Sequence, residues 1–230
     1  MAGIYIHIPF CKQACTYCNF HFSTNLDLQN DFTAALLNEI VLRRAYIQEE
    51  TIETIYFGGG TPSLLSSQAI YEILKSVGSH FRIGQNPEIT LETNPDDIDM
   101  SHLDKWKKAG INRLSIGVQS FFSEDLIWMN RAHNGDQAVQ AVQDSKRAGF
   151  DNFSLDLIYG APGLTDDKWD FNLQKAISLE PAHISCYALT VEPKTALHNM
   201  IKTKKSLAVD PEKQASQFLT GISAAGGSRF

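Results

Sequence analysis

The chain has 230 residues, 43% of them hydrophobic and 20% charged, with a formal net charge of -6 at pH 7. This mildly acidic balance offers no basic field for phosphates, so nucleic acid is not an expected partner. No apolar run reaches the roughly 18 residues of a membrane helix, and the opening Met-Ala-Gly-Ile-Tyr-Ile-His-Ile-Pro lacks the basic region and long apolar stretch of a signal peptide. A cytoplasmic protein with one main core, reduced cysteines and no transmembrane segment is the expectation.

Six short segments rich in β-branched or aromatic residues are expected as strands: 3–8, 53–57, 88–92, 113–118, 152–158 and 183–189. Amphipathic stretches lie between them. Phe32, Leu36, Leu37, Ile40 and Val41 keep helical spacing, as do Ile70, Ile73, Leu74 and Val77, and Ala138, Val139, Val142 and Lys146 extend another such face. Ser101, with Asp104 three residues on, reads as a weak capping box, and Gly110 and Gly149 fall where helices should stop. The phrase Lys107-Lys-Ala-Gly-Ile-Asn-Arg-Leu-Ser-Ile116 returns as Lys146-Arg-Ala-Gly-Phe-Asp-Asn-Phe-Ser-Leu155, a local repeat of helix end, glycine turn and strand start. Alternation of this kind predicts an α/β protein with a parallel sheet, and six units, short of the eight that close a full barrel, predict a partial (β/α)6 barrel with an open side. Residues 1–200 form this expected core. Beyond about Lys202 the pattern weakens: Asp210-Pro211 resembles a helix start, and residues 224–230 show no periodicity, so 201–230 reads as the start of a truncated or aberrant C-terminal region with a frayed tail.

Barrel chemistry sits on the loops leaving the carboxyl ends of the strands, and the unusual residues here fall there. Cys11, Cys15 and Cys18 follow the first strand, Gly58-Gly59-Gly60-Thr61-Pro62 the second, and Glu92-Thr93-Asn94-Pro95 ends the third. Gln119 leaves the fourth, Asp156 lies in the fifth and Tyr187 in the sixth. Each has a plainer reading. Glycine triplets are usually turns, although without Cβ atoms they also let the backbone approach a ligand and turn its N–H groups toward it. Glu92 and Asp156 would serve as capping or ion-pair residues, Gln119 as a partner for loop backbone, and Arg131 as a solvated side chain.

The cysteines are different in kind. Cys11-Lys-Gln-Ala-Cys15-Thr-Tyr-Cys18 places three thiols on one loop, and thiolates are the ligands of iron-sulfur clusters. Zinc is the competing metal; it would want a fourth ligand, for which His7 and His21 are near enough in sequence. Three ligands on a four-iron cluster would leave one iron open to a substrate or cofactor. Cys186 stands apart and reads as a packing residue.

Together these residues resemble the radical-SAM superfamily. The segments Tyr5-Ile-His-Ile-Pro-Phe-Cys11, Phe57-Gly-Gly-Gly-Thr-Pro-Ser63, Ser115-Ile-Gly-Val-Gln-Ser-Phe121, Arg131-Ala-His133 and Asp156-Leu-Ile-Tyr-Gly160 resemble its oxygen-independent coproporphyrinogen III oxidase group over roughly residues 1–200. The resemblance implies a 4Fe-4S cluster on Cys11, Cys15 and Cys18, its open iron chelated by S-adenosylmethionine. It also implies Tyr5 and Tyr17 flanking that cofactor, Gly59, Gly60 and Thr61 at its methionine end, Glu92 and Arg131 on its polar groups, Gln119 and Asp156 on the ribose, and Ala188 beside the adenine. Oxidases of the group carry a further cysteine two residues past the third and a longer N-terminal extension. Phe20 stands at that position here, and only four residues precede Tyr5. Both features point to the heme-chaperone branch, which implies heme or porphyrin as ligand, a hemoprotein client and an electron donor. The alternatives are an oxidase of porphyrin biosynthesis or an inactive remnant.

Overall fold

Among the residues that the computed structural model describes, 2–47 and 50–226, six strands alternate with helices. The strands are β1 (Ala2–Ile8), β2 (Ile52–Gly59), β3 (Ile83–Thr93), β4 (Arg113–Gln119), β5 (Phe153–Tyr159) and β6 (His183–Ala188). The helices are α1 (Gln29–Leu42), α2 (Ser67–His80), α3 (Met100–Ala109), α4 (Ser123–Trp128), α5 (Gly135–Arg147), α6 (Asp166–Ser178), α7 (Ala196–Lys202) and α8 (Pro211–Gly226). All strand pairs are parallel, and their order in the sheet is their order in the chain. No pairing between β1 and β6 occurs among the described residues, so the expected open (β/α)6 barrel is what forms.

Sequential parallel strands need a crossover between each pair, and crossovers of one hand put the connecting helices on the same face of the sheet. That face is apolar. Ile6 and Ile8 of β1, Ile55 and Phe57 of β2, Leu114 and Ile116 of β4, and Leu155 and Leu157 of β5 are buried beneath the helices with Trp106 and Trp169. The opposite, concave face is polar, and the register stacks it in layers. Tyr5, Tyr56, Thr90 and Arg113 are neighbours across β1–β4; one layer higher are Glu92, Ser115, Ser154 and His183, then Asp156 and Ser185. Every side chain alternates face because the strand period is two.

The helix ends are fixed by local chemistry. Ser66, Thr165 and Thr195 cap α2, α6 and α7, and Asn134 and Gln137 form a reciprocal capping box at α5. Gly110 and Gly149 stop their helices at φ 110° and 78°, as their positions predict. The start of α3 differs: Asp99, not Ser101, is the cap, its carboxylate accepting from His102 N at 2.8 Å, which puts Ser101 inside the first turn.

Three strands also depart from expectation. β2 runs on through Gly58 and Gly59, which pair with His7 and Ile8; β3 begins at Ile83, paired with Ile52 ahead of a register shift; and β6 ends at Ala188. The frayed tail is corrected as far as Gly226, with residues 227–230 outside those described. α8 is docked through polar groups: buried Gln217 accepts from Gly160 N at 2.8 Å, donates to Leu164 O at 3.2 Å, and its own carbonyl receives Trp169 Nε1 at 2.8 Å. Gln214 Nε2 donates to Leu189 O at 2.8 Å.

Candidate cofactor site

The loop after β1 carries the three cysteines and is held from two sides. Cys11 N donates to Ser23 O at 3.0 Å, closing the loop on itself. The segment after α4 then zips onto it: Thr16 N donates to Met129 O at 3.0 Å, Gln13 Nε2 to Asn130 O at 2.8 Å, and Asn130 Nδ2 to Ala14 O at 2.7 Å. Asn130 adopts φ 57°, a left-handed conformation that asparagine tolerates better than most residues. At the other end Leu197 N, at the start of α7, donates to Thr16 O at 2.7 Å.

All three thiols are half-buried and free of disulfides. Burial pushes the Cys11 and Cys18 thiols up from their ordinary range; Thr61 at Cys11, the Phe20 backbone at Cys18 and the Arg131 charge at both act the other way. Among the described residues no three His, Cys, Asp or Glu side chains converge closely enough to hold one metal ion. His7 is committed elsewhere, its Nε2 lying 3.2 Å from His21 O.

The glycine loop after β2 has a different role from the one its composition suggests. Gly59 N donates to Glu92 Oε2 at 3.0 Å, Gly60 N to Ile8 O at 2.8 Å and Thr61 N to Phe10 O at 2.6 Å, so these N–H groups are spent within the protein. A Cβ on Gly60 would stand 2.6 Å from Phe10 O, and one on Gly59 2.5 Å from the His7 ring. The glycines therefore let β1 and the cysteine loop pack directly on β2. Thr61 is buried, its hydroxyl beside the Cys11 thiol and receiving Asn94 Nδ2 at 3.3 Å.

Glu92, at the end of β3, is fixed through both oxygens, one accepting from Tyr56 Oη at 2.8 Å and the other from Gly59 N. Burial raises its pKa in spite of these bonds, and burial does the same to Asp156, against donation from Ser185 and Ser115. Arg131 is no solvated side chain. Nη1 reaches Cys15 Sγ at 3.4 Å, and Nη2 donates to Asn94 Oδ1 at 2.6 Å and Gly117 O at 2.8 Å, while Nε is buried without a partner. Gln119 sits at φ 67° beside a register shift, a strained backbone for a residue with a Cβ. Its side-chain amide makes no hydrogen bond to the protein among the described residues.

These groups surround one cleft of about 450 Å³ at the carboxyl ends of the strands. Its lining includes the three cysteines, Tyr17, Gly59, Gly60, Thr61, Glu92, Arg131, Gln119, Asp156 and Ala188. Tyr5 is the exception: it lies below the cleft, stacked on Tyr56 with ring centroids 5.9 Å apart. Cys186 is exposed on β6, neither packed as expected nor in the cleft lining. Tyr56, Asn94, Asn130 and Ser115 were not singled out from sequence. Strand parity alone would have put Tyr56 and Ser115 on the concave face.

The sequence profile of the Radical SAM superfamily matches residues 5–175. The chain belongs to the radical SAM superfamily. It is 39% identical over 195 residues to the heme chaperone HemW of Escherichia coli (strain K12), covering 84% of this chain and 52% of that protein. It is 34% identical over 219 residues to HemW of Bacillus subtilis (strain 168), covering 94% and 58%. The fold superposes on coproporphyrinogen III oxidase (HemN) from Escherichia coli, a radical SAM enzyme, with a TM-score of 0.86 and 27% identity over 98% of this chain and 52% of that one. A TM-score of 0.68 at 18% identity to an archaeal Elp3 reflects the shared fold alone. The chain spans about half the length of these relatives. No helix among the described residues is long and apolar enough to cross a membrane.

Proposed function

We propose that this chain is the core of a HemW-type heme chaperone that holds a 4Fe-4S cluster on Cys11, Cys15 and Cys18 and S-adenosylmethionine in the adjoining cleft. The observation that carries the reading is Arg131, a buried cation that lines the cleft and touches Cys15, with its Nε left unpartnered. A buried donor without a partner costs about 1–3 kcal/mol, more when charged, and a ligand carboxylate at this point would relieve it. Three free thiols on one loop supply the ligand type that iron-sulfur clusters take, and His7, a nearby candidate for a fourth zinc ligand, lies against His21 O instead.

When bound, the cluster supplies the electron that cleaves the carbon–sulfur bond of S-adenosylmethionine. The chain's own residues orient the ligand: Glu92, locked by Tyr56 and Gly59, receives its ammonium group; Gly59, Gly60 and Thr61 border its methionine end; Gln119 and Asp156 take the ribose; and Ala188 leaves room for the adenine. Tyr17 covers the cluster side and Tyr5 supports the floor from below. Heme, a hemoprotein client and an electron donor follow from the similarity to HemW, and Phe20 at the rim, where the oxidases carry a cysteine, favours chaperone over oxidase.

Anaerobic reconstitution followed by heme titration, with S-adenosylmethionine cleavage monitored in the same sample, tests this. We expect about four irons per chain, lost in Cys15→Ala, and heme binding without porphyrinogen turnover. A chain holding a single zinc overturns the cluster assignment, and turnover of coproporphyrinogen III with consumption of S-adenosylmethionine moves the assignment to the oxidase, the reading favoured by the superposition on HemN.

A further inference from the structure

The repeated helix-end phrase leaves a serine at the same place in each copy, Ser115 and Ser154, and the β4–β5 register sets them side by side on the concave face. They are links in a longer connection. Arg113 Nη2 lies 3.1 Å from Ser154 Oγ, Ser154 Oγ lies 3.0 Å from Ser115 Oγ, and Ser115 Oγ lies 3.3 Å from Asp156 Oδ2. Ser115 and Asp156 line the cleft, whereas Arg113 does not.

With Asp156 ionised, the direction of the protons along this row is fixed. An ionised carboxylate only accepts, so Ser115 must donate to it. Ser115 also approaches the Tyr56 phenol, but a charged acceptor outcompetes a neutral one. With its single proton used, Ser115 accepts from Ser154, and Ser154 in turn accepts from the guanidinium. The row therefore runs from a fixed positive charge to a carboxylate, each hydroxyl donating once and accepting once, and such a chain polarises itself in one sense. The Arg113 guanidinium is itself anchored: Nη1 donates to Thr90 Oγ1 at 3.3 Å, and Nε lies 3.8 Å from Glu88 Oε2, so the fork leaves Nη2 aimed at Ser154.

We propose that Arg113 is a positioning residue for the cofactor's ribose, acting through Ser154 and Ser115 to hold Asp156, which Ser185 also supports, as an ionised acceptor for the ribose hydroxyls. This rests on the assignment of the cleft to S-adenosylmethionine. Burial works against an ionised Asp156; the bond from Ser185, then the row through Ser115 with the Arg113 charge at its far end, act the other way.

The test is calorimetric titration of the anaerobically reconstituted chain with S-adenosylmethionine and with its 2′,3′-dideoxy analogue. Ser154→Ala should weaken S-adenosylmethionine about tenfold and the dideoxy analogue less than about twofold, as expected when a charge-assisted bond to the hydroxyls is lost. Arg113→Gln should reproduce that pattern and Arg113→Lys should recover part of it. Melting of each variant separates a folding defect from a local one. Equal loss for the two ligands, or lowered melting with unchanged affinities, means that the row only ties β3, β4 and β5 together and overturns the inference. A wild-type chain that loads its cluster yet binds neither ligand overturns the cleft assignment itself, and this inference with it.

Discussion

Glu92 illustrates how a site residue works against its own fold. Burial raises its pKa, so in the interval between the ordinary carboxylate range and the raised value the folded protein binds more protons than the unfolded chain, and stability falls as pH rises through that interval. Glu92→Gln removes this penalty while keeping the contact with Gly59 N through its amide oxygen. The cofactor-free variant should melt higher than wild type at neutral pH, with a flatter dependence of Tm on pH, and should bind S-adenosylmethionine more weakly. A lower Tm would mean that the Tyr56 bond outweighs burial. His133 has the opposite sign. Its Nε2–H donates to Val118 O at 3.0 Å, and Nδ1 is buried 4.0 Å from Asp96 Oδ1 without a hydrogen bond; burial first, then the Arg131 charge, holds its pKa down to about 4. The unfolded chain therefore takes up the proton first, and stability is lost as pH falls from about 6.5 toward 4, by on the order of 3 kcal/mol. His133→Gln, which keeps a donor for Val118, should shift the acid-unfolding midpoint to lower pH.

Among the elements, the β2 loop and α8 mark where sequence reading succeeds and where it stops. Gly60→Ala would set a Cβ against Phe10 O, a backbone atom that cannot swing aside. We expect a loss of about 1–3 kcal/mol in stability, together with faster cluster loss after reconstitution, followed by the decay of its visible absorbance. The position of this loop was legible because glycines and a proline at the end of an apolar strand announce a turn. Its role was not, because the groups it packs against come from a strand some fifty residues earlier. Arg131 was reached only through the family resemblance, and its burial was unreadable for the same reason: it is created by the cysteine loop and by Asn94, neither of them local. The start of α8 was legible at Asp210-Pro211 but its course was not, because its docking relies on Gln214 and Gln217 inserted among backbone groups, which leaves a weak apolar period. Gln217→Ala would strand Gly160 N, and we expect a loss of about 1–3 kcal/mol with faster hydrogen exchange in α8 and in residues 160–166.

At the scale of the whole molecule, one topological fact organises the rest. Strands laid down in chain order put the connecting helices on one face, which made the six βα units and the open barrel predictable from periodicity alone, and left the other face to be furnished with polar side chains. A sheet that does not close also keeps two borders. Along β6 the amide and carbonyl groups turned away from β5 pair with no further strand among the described residues. An extended peptide arriving in register would find a ready template, and two copies of the chain could each serve as the other's seventh strand. Light scattering at rising concentration should detect such association, and an added proline in β6, at a position whose N–H faces outward, should suppress it while leaving the cleft's ligand affinity in place. The openness that admits a ligand to the concave face thus also leaves β6 with a hydrogen-bonding border that no described strand covers.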